Sequence, residues 1–335
     1  MTIIYGDDWA NLLVGGDEDN QIHGFGGNDT IDAGAGNDQV FAGAGSDLVY
    51  GGIGNDNIWG EAGRDTLYGG DGDDRIDGGA DNDYLYGGDG NDRLIGGAGA
   101  DVLNGGAGRD YADYSTASRG VTVDLGFTFF NTGDAAGDTY ISIENLYGSA
   151  FNDCLEGDNY DNQIDGGAGN DYISGGRGND TLLAGEGNDT LDGGTGDDVL
   201  TGWNGNDILR GGSGGDTIIG DLGSDKMYAG FWDCSTDLFV FKSVQDSAVG
   251  YNRDTIYDFE AGIDNIDLSA IDANTGLDGD QAFTWGGSRA VANGAWSVWT
   301  LTGTVVRVDV NGDCVADMEI GVSGLANLGA RDFFL

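Results

Sequence analysis

Between Gly6 and Asp113 one apolar residue recurs every nine positions, with no insertion or deletion. The series is Leu13, Ile22, Ile31, Val40, Val49, Ile58, Leu67, Ile76, Leu85, Leu94 and Leu103, then Ala112. A second series with the same spacing lies between Gly148 and Tyr228: Leu155, Ile164, Ile173, Leu182, Leu191, Leu200, Leu209, Ile218 and Met227. A strict short period of this kind predicts a solenoid. In the unit Ala33 to Phe41, Ala-Gly-Ala-Gly-Asn-Asp-Gln-Val-Phe, the first six residues are expected to turn and the last three to form a short strand. Side chains alternate along a strand, so Val40 points inward and its neighbours outward. Two units make one coil of eighteen residues, with a strand on each face. Units two apart then stack at about 4.8 Å. The fold class is all-β, a parallel β-roll in two arrays.

Four stretches follow from where this period starts and stops. Residues 1–113 form the first array, opening with imperfect capping units, and residues 148–228 form the second. Between them, 114–147 is a spacer. Its alternating segments Val-Thr-Val-Asp-Leu at 121–125 and Tyr-Ile-Ser-Ile-Glu-Asn-Leu at 140–146 read as strands, expected as an excursion on the side of the roll. After Tyr228 the repeat stops. In 229–335, short strands are expected at 236–242, 254–259 and 265–268, with one longer run at 296–310.

Charge narrows the partners. The chain of 335 residues carries 59 Asp and Glu against 13 Lys and Arg, a formal net charge of −46. Neither nucleic acid nor an anionic membrane surface is expected as a partner, because both need clustered positive charge. Cations are expected instead. No transmembrane segment is found. Residues 1–16 show neither a basic region nor an apolar run of seven, so no N-terminal signal peptide is expected. Cys154, Cys234 and Cys314 lie far apart, form no zinc spacing and read as structural substitutions. His23 is the one histidine, so neither a two-histidine zinc site nor a Ser-His-Asp set with histidines to spare can be built. No phosphate-binding loop occurs.

The turns carry the chemistry. Glycines at the second and fourth positions permit positive φ, and an aspartate occupies the sixth in nearly every unit. The core is thin, one aliphatic per unit, and the stacked carboxylates repel one another. A hard cation with oxygen ligands is needed to hold the coils together. Calcium accepts six to eight oxygens and mixes carboxylates with carbonyls, whereas magnesium favours small octahedra and transition metals want imidazole or thiolate.

The unit Gly-Gly-x-Gly-(Asn/Asp)-Asp-x-(Ile/Leu/Val)-x resembles the calcium-binding repeat of RTX proteins. In that family each ion sits between stacked turns. The resemblance implies one site from the carbonyls of Gly34 and Gly36 and the carboxylate of Asp38, facing the carbonyls of Gly51 and Ile53 and the carboxylate of Asp56. The next joins Gly43, Gly45 and Asp47 to Gly60, Ala62 and Asp65. The same positions run through Asp29, Gly52, Gly54, Gly63, Gly69, Gly70, Asp71, Gly72, Asp74, Gly78, Gly79, Ala80 and Asp83. They continue with Gly87, Gly88, Asp89, Gly90, Asp92, Gly96, Ala98, Asp101, Gly105, Ala107 and Asp110. In the second array Gly167, Gly169 and Asp171 face Ala184, Glu186 and Asp189. The pattern extends through Gly176, Gly178, Asp180, Gly185, Gly187, Gly193, Gly194, Thr195, Gly196, Asp198, Gly202, Asn204, Gly205, Asp207, Gly211, Ser213, Asp216, Gly220, Leu222 and Asp225. Roughly a dozen calcium ions are implied by this geometry. Trp9, Glu18, Phe151 and Tyr160 replace the fourth-position glycine, and Asn11, Asn20 and Asn162 replace the aspartate, so the opening units read as caps. Asp81 departs in the same way within the first array.

The segment 254–269, Asp-Thr-Ile-Tyr-Asp-Phe-Glu-Ala-Gly-Ile-Asp-Asn-Ile-Asp-Leu-Ser, resembles the C-terminal domain of serralysin-type metalloproteases, as does 309–317. Asp309, Asn311, Asp313 and Asp317 look like half an EF-hand loop. The ending Asp332-Phe333-Phe334-Leu335 resembles the uncleaved type I secretion signal of that group. The group's zinc protease helix is missing. These resemblances imply a secreted or surface-associated, non-enzymatic calcium-binding protein, exported by type I machinery and folded by extracellular calcium. A structural or adhesive role in a surface layer, matrix or filament is expected, with self-assembly. The alternative is a calcium-dependent protein that binds or modifies an anionic polysaccharide, in the manner of a lyase or epimerase.

Overall fold

The computed structural model describes residues 1–230, 235–274, 276, 281–324 and 327–335. Cys234 lies outside the described residues. Nearly all regular structure is β, and the helical segments among the described residues are three short 3-10 turns. The chain divides into two compact units, Met1–Asp158 and Asn159–Leu335.

In the first unit two long parallel sheets carry the repeats, and Thr122–Asp124 pairs parallel with Cys154–Glu156 in a third. One runs through Thr2–Tyr5, Asn20–His23, Gln39–Ala44, Asn57–Ala62, Arg75–Ala80, Arg93–Ala98, Tyr111–Asp113 and Asn145–Tyr147. The other runs through Leu12–Gly16, Thr30–Ala35, Leu48–Ile53, Thr66–Asp71, Tyr84–Asp89, Val102–Ala107 and Thr139–Ile141. Each residue of the repeat pairs with the one eighteen further on: Val40 with Ile58, Leu67 with Leu85. The eighth-position residues from Ile22 to Ala112 are fully buried and form one apolar column per sheet. Outside, ninth-position rings stack on their neighbours. His23, Phe41 and Trp59 lie 4.9 and 4.6 Å apart, and Tyr50, Tyr68 and Tyr86 lie 5.1 and 4.7 Å apart. Such contacts add to the pairing of strands.

Two expectations need correction here. Most strands of the first array are six residues long, because positions one to three also pair with the next coil, as Ala44 does with Ala62. The spacer is only partly an excursion. Its segments Thr139–Ile141 and Asn145–Tyr147 join the stack, placing Tyr140 on Leu103 and Leu146 on Ala112.

The second unit has the same plan. One sheet holds Gln163–Asp165, Thr181–Leu183, Val199–Thr201, Thr217–Ile219, Leu238–Val240, Asn265–Asp267 and Phe333–Phe334. The other holds Tyr172–Arg177, Thr190–Thr195, Ile208–Ser213, Lys226–Tyr228, Thr255–Tyr257 and Met318–Ser323. The nonapeptide ends at Tyr228, but the stack does not. Phe239 lies on Ile218, Ile266 on Phe239, Phe333 on Ile266, and Ile256 on Met227. The run expected as one strand at 296–310 is a hairpin, Gly294–Trp299 against Gly303–Val308, and its second arm pairs antiparallel with Met318–Ser323.

Candidate metal centre

The sixth-position aspartates are buried, and each uses one oxygen to tie two coils together. In the first unit the backbone N–H of Asp29 donates to Asp47 Oδ1 (2.7 Å), that of Asp47 to Asp65, Asp65 to Asp83 and Asp83 to Asp101, each at 2.8 Å. A second column links Asp38, Asp56, Asp74, Asp92 and Asp110 in the same way, at 2.7–2.8 Å. In the second unit one column runs from Asp180 through Asp198 to Asp216, and the other from Asp171 through Asp189 and Asp207 to Asp225. Neutral amides open the columns: the N–H groups of Asn11, Asn20 and Asn162 donate to Asp29, Asp38 and Asp180.

In most of them the other oxygen has no protein partner. In Asp29, Asp38, Asp47, Asp56, Asp65, Asp74, Asp83, Asp92, Asp101 and Asp110, and in Asp189, Asp198, Asp207 and Asp225, Oδ2 is buried and accepts no hydrogen bond. A buried carboxylate oxygen without a donor is costly, and a series of them fits a bound cation. Burial, followed by repulsion from neighbouring carboxylates, pushes the metal-free carboxyls upward. Asp56 rises to about 6, Asp83 and Asp207 to about 7, and Asp65, Asp74 and Asp225 to about 8.

Glycines keep the space around Oδ2 open. A Cβ on Gly51 would strike Asp56 Oδ2 and the Gly69 carbonyl, and one on Gly193 would strike Asp198 Oδ2 and the Gly211 carbonyl. A Cβ on Gly52 or Gly54 would strike the carbonyl of Gly34 or Gly36 in the preceding coil, and both glycines have positive φ. Oxygens of two successive coils thus line each recess. The third-position carbonyls Ile53, Asp71, Asp89, Ala107, Thr195 and Ser213 also face the preceding coil, where each accepts a fourth-position N–H. The side chains of Asp71, Asp89 and Glu186 point to solvent. Asp81 keeps its turn at φ 78°, with its N–H on the Ala98 carbonyl. No three His, Cys, Asp or Glu side chains converge as a metal cluster among the described residues. A site here combines few carboxylates with many carbonyls, which is a donor set suited to calcium.

Several ladder residues lie outside the repeat. Asp138 accepts the N–H of Asp101 (2.8 Å), Glu144 that of Asp110 (2.9 Å), Asp237 that of Asp216 (2.9 Å), Asp264 that of Asp237 (3.2 Å) and Asp254 that of Asp225 (2.8 Å). Their shared signal is an acidic residue two positions before an inward apolar or aromatic one, without the full set of turn glycines. Asp254 Oδ2 is buried without a hydrogen-bond partner, and its carboxyl is pushed to about 9 by burial and by Asp225. Asp138 and Asp264 differ: Oδ2 takes the Tyr114 hydroxyl (2.8 Å) in one and the Glu260 N–H (2.6 Å) in the other. A further ladder uses the fifth position, where the N–H groups of Asn55, Asp73, Asn91 and Arg109 donate to Asn37, Asn55, Asp73 and Asn91 at 2.8–3.2 Å.

The loop 309–317 closes on itself. Asp309 accepts the N–H groups of Asn311, Gly312 and Cys314, which hold its carboxyl below the usual range, and Asp317 takes the Val310 N–H and the Asn311 amide. Cys154 and Cys314 are free thiols. Burial and the nearby Glu156, Asp124 and Asp153 carboxylates push the Cys154 thiol upward. No helix among the described residues is long and apolar enough to cross a membrane.

The RTX calcium-binding nonapeptide repeat matches four times, over residues 5–40, 35–67, 50–85 and 77–112. The peptidase M10 serralysin C-terminal family matches 138–335, more than half of the chain. No curated protein matches. Among solved structures, the AlgE6R3 subunit of the Azotobacter vinelandii mannuronan C5-epimerase is 26% identical over 55% of this chain and 78% of its own, with a TM-score of 0.25. With nonapeptide turns, buried aspartate columns and this C-terminal match together, the chain belongs to the calcium-binding RTX repeat proteins that carry a serralysin-type C-terminal domain.

Proposed function

We propose that this is a non-enzymatic extracellular protein whose roll is assembled by calcium, and that it serves as a structural or adhesive component of a surface layer, matrix or filament. The observation that carries the reading is the series of buried aspartate oxygens without protein partners. Each turn aspartate is committed on one side to the backbone and on the other to an ion, which favours a binding role over acid–base work. Bound calcium supplies positive charge and oxygen coordination at these recesses. The roll takes roughly a dozen ions, one for each well-formed pair of stacked turns. Where calcium is scarce, repulsion within a chain of net charge −46 keeps it expanded, a state suited to export through a type I channel. Where calcium is abundant, binding free energy becomes folding free energy.

Circular dichroism before and after exhaustive chelation tests the coupling. The β signal is expected to collapse with chelator and return with calcium. A β signal indifferent to chelation sinks the proposal.

A further inference from the structure

Residues 122–132 form a hairpin in the spacer, and its tip is unusual for so acidic a chain. Thr122 and Thr132 exchange both backbone hydrogen bonds (3.3 and 3.0 Å). Asp124 pins the turn: its Oδ1 accepts the N–H groups of Gly126 (2.8 Å) and Phe127 (2.7 Å), while its own N–H donates to Asn131 Oδ1 (2.9 Å). A 3-10 turn, Thr128–Phe130, completes the tip. On it Phe127, Phe129 and Phe130 are 76%, 90% and 71% exposed. These rings contribute nothing to the core, and a soluble surface rarely groups three aromatics on one protrusion without a partner.

Three observations choose the partner. Residues 125–133 carry no charge, although the chain as a whole is at −46, so the tip suits an uncharged or zwitterionic surface and the body repels an anionic one. The three rings offer roughly 500 Å² of apolar side chain, less than the ~800 Å² per partner of a stable protein interface. Phe129 and Phe130 meet edge to face, at 86° and 5.2 Å, so they do not form a flat platform for a sugar ring. A lipid interface needs neither a large matched area nor coplanar rings, because each aromatic side chain enters it independently. We propose that the Phe127–Phe130 tip is a lipid-anchoring element that seats its rings in the interface of a zwitterionic bilayer.

The test uses the full chain in calcium buffer, sedimented with phosphatidylcholine vesicles. The unaltered protein is expected to partition onto the vesicles. Combined Phe127→Ser, Phe129→Ser and Phe130→Ser substitution is expected to lower the partition coefficient at least tenfold, with each single variant intermediate. Circular dichroism and calcium stoichiometry should not change, since the rings are outside the core. Equal partitioning of variant and parent, or no partitioning by the parent, overturns the proposal. So does a variant that loses self-association on size exclusion, or glycan retention, in place of lipid binding.

Discussion

The two oxygens of a turn aspartate act differently, and Asp65 shows how to separate them. Its Oδ1 accepts the Asp47 N–H at 2.8 Å, and its Oδ2 is the buried oxygen without a partner. Asp65→Asn retains an acceptor for the backbone but loses the charge that faces the ion. Asp65→Ala loses both and leaves a buried N–H unpaired, at a further cost of about 1–3 kcal/mol. Calcium titration should show the same loss of ions in both variants. Denaturation at saturating calcium should show the alanine variant as the weaker. Equal stabilities would mean that Oδ1 carries no load, and unchanged stoichiometry would mean that Oδ2 faces no ion. The identity of position six is legible in the nonapeptide alone. The division between its oxygens is not, because the donor to Oδ1 lies eighteen residues away and is a backbone group with no side-chain signature. The fifth-position ladder is hidden for the same reason: Asn37, Asn55 and Asp73 look like ordinary turn residues until the coils stack.

Strands are easiest to read where the glycine turns repeat and hardest where the chain leaves the nonapeptide but remains in the stack. Asp138-Thr-Tyr, Asp237-Leu-Phe, Asp254-Thr-Ile and Asp264-Asn-Ile keep the acidic and inward positions of the unit while varying everything between. Pairing in register then depends on two residues, and the intervening loops can be long. The spacer adds a device of its own. Tyr114 is buried and its hydroxyl reaches Asp138 Oδ2 at 2.8 Å, so a protein donor stands where the array aspartates have none. Burial pushes the Asp138 carboxyl to about 7 in spite of that bond. Tyr114→Phe should therefore destabilise the calcium-loaded protein by about 1–3 kcal/mol, the cost of leaving a buried oxygen unpaired. The number of bound ions should stay the same. Denaturant titration and calcium counting check both halves, and undiminished stability would show that the hydroxyl does not cap the column.

At the scale of the whole molecule, protons and calcium compete for one set of oxygens, and the sign of that competition is fixed by burial. Unfolded, the turn carboxyls ionise near 3.8; folded without metal, Asp56 and Asp198 ionise near 6, Asp83 and Asp207 near 7, and Asp65, Asp74 and Asp225 near 8. Between these limits the folded chain holds more protons than the unfolded one, so its metal-free stability falls as pH rises. That stability is fully present below about pH 4 and is lost progressively through pH 6–8. The metal-free chain at pH 8 also carries most of its −46 charge, and self-repulsion expands it further. An unfolded chain of this length has a radius of gyration of roughly 65 Å. Small-angle scattering in chelator should approach that value at pH 8 and contract on acidification toward pH 5. At pH 8, millimolar calcium should produce the contraction, while sodium chloride of equal ionic strength should not, because screening lowers long-range repulsion but gives a buried Oδ2 no ligand. Contraction by sodium alone would place the driving force in net charge and remove the need for specific sites. Expansion on acidification would reverse the linkage and show that the aspartates are not buried before calcium arrives.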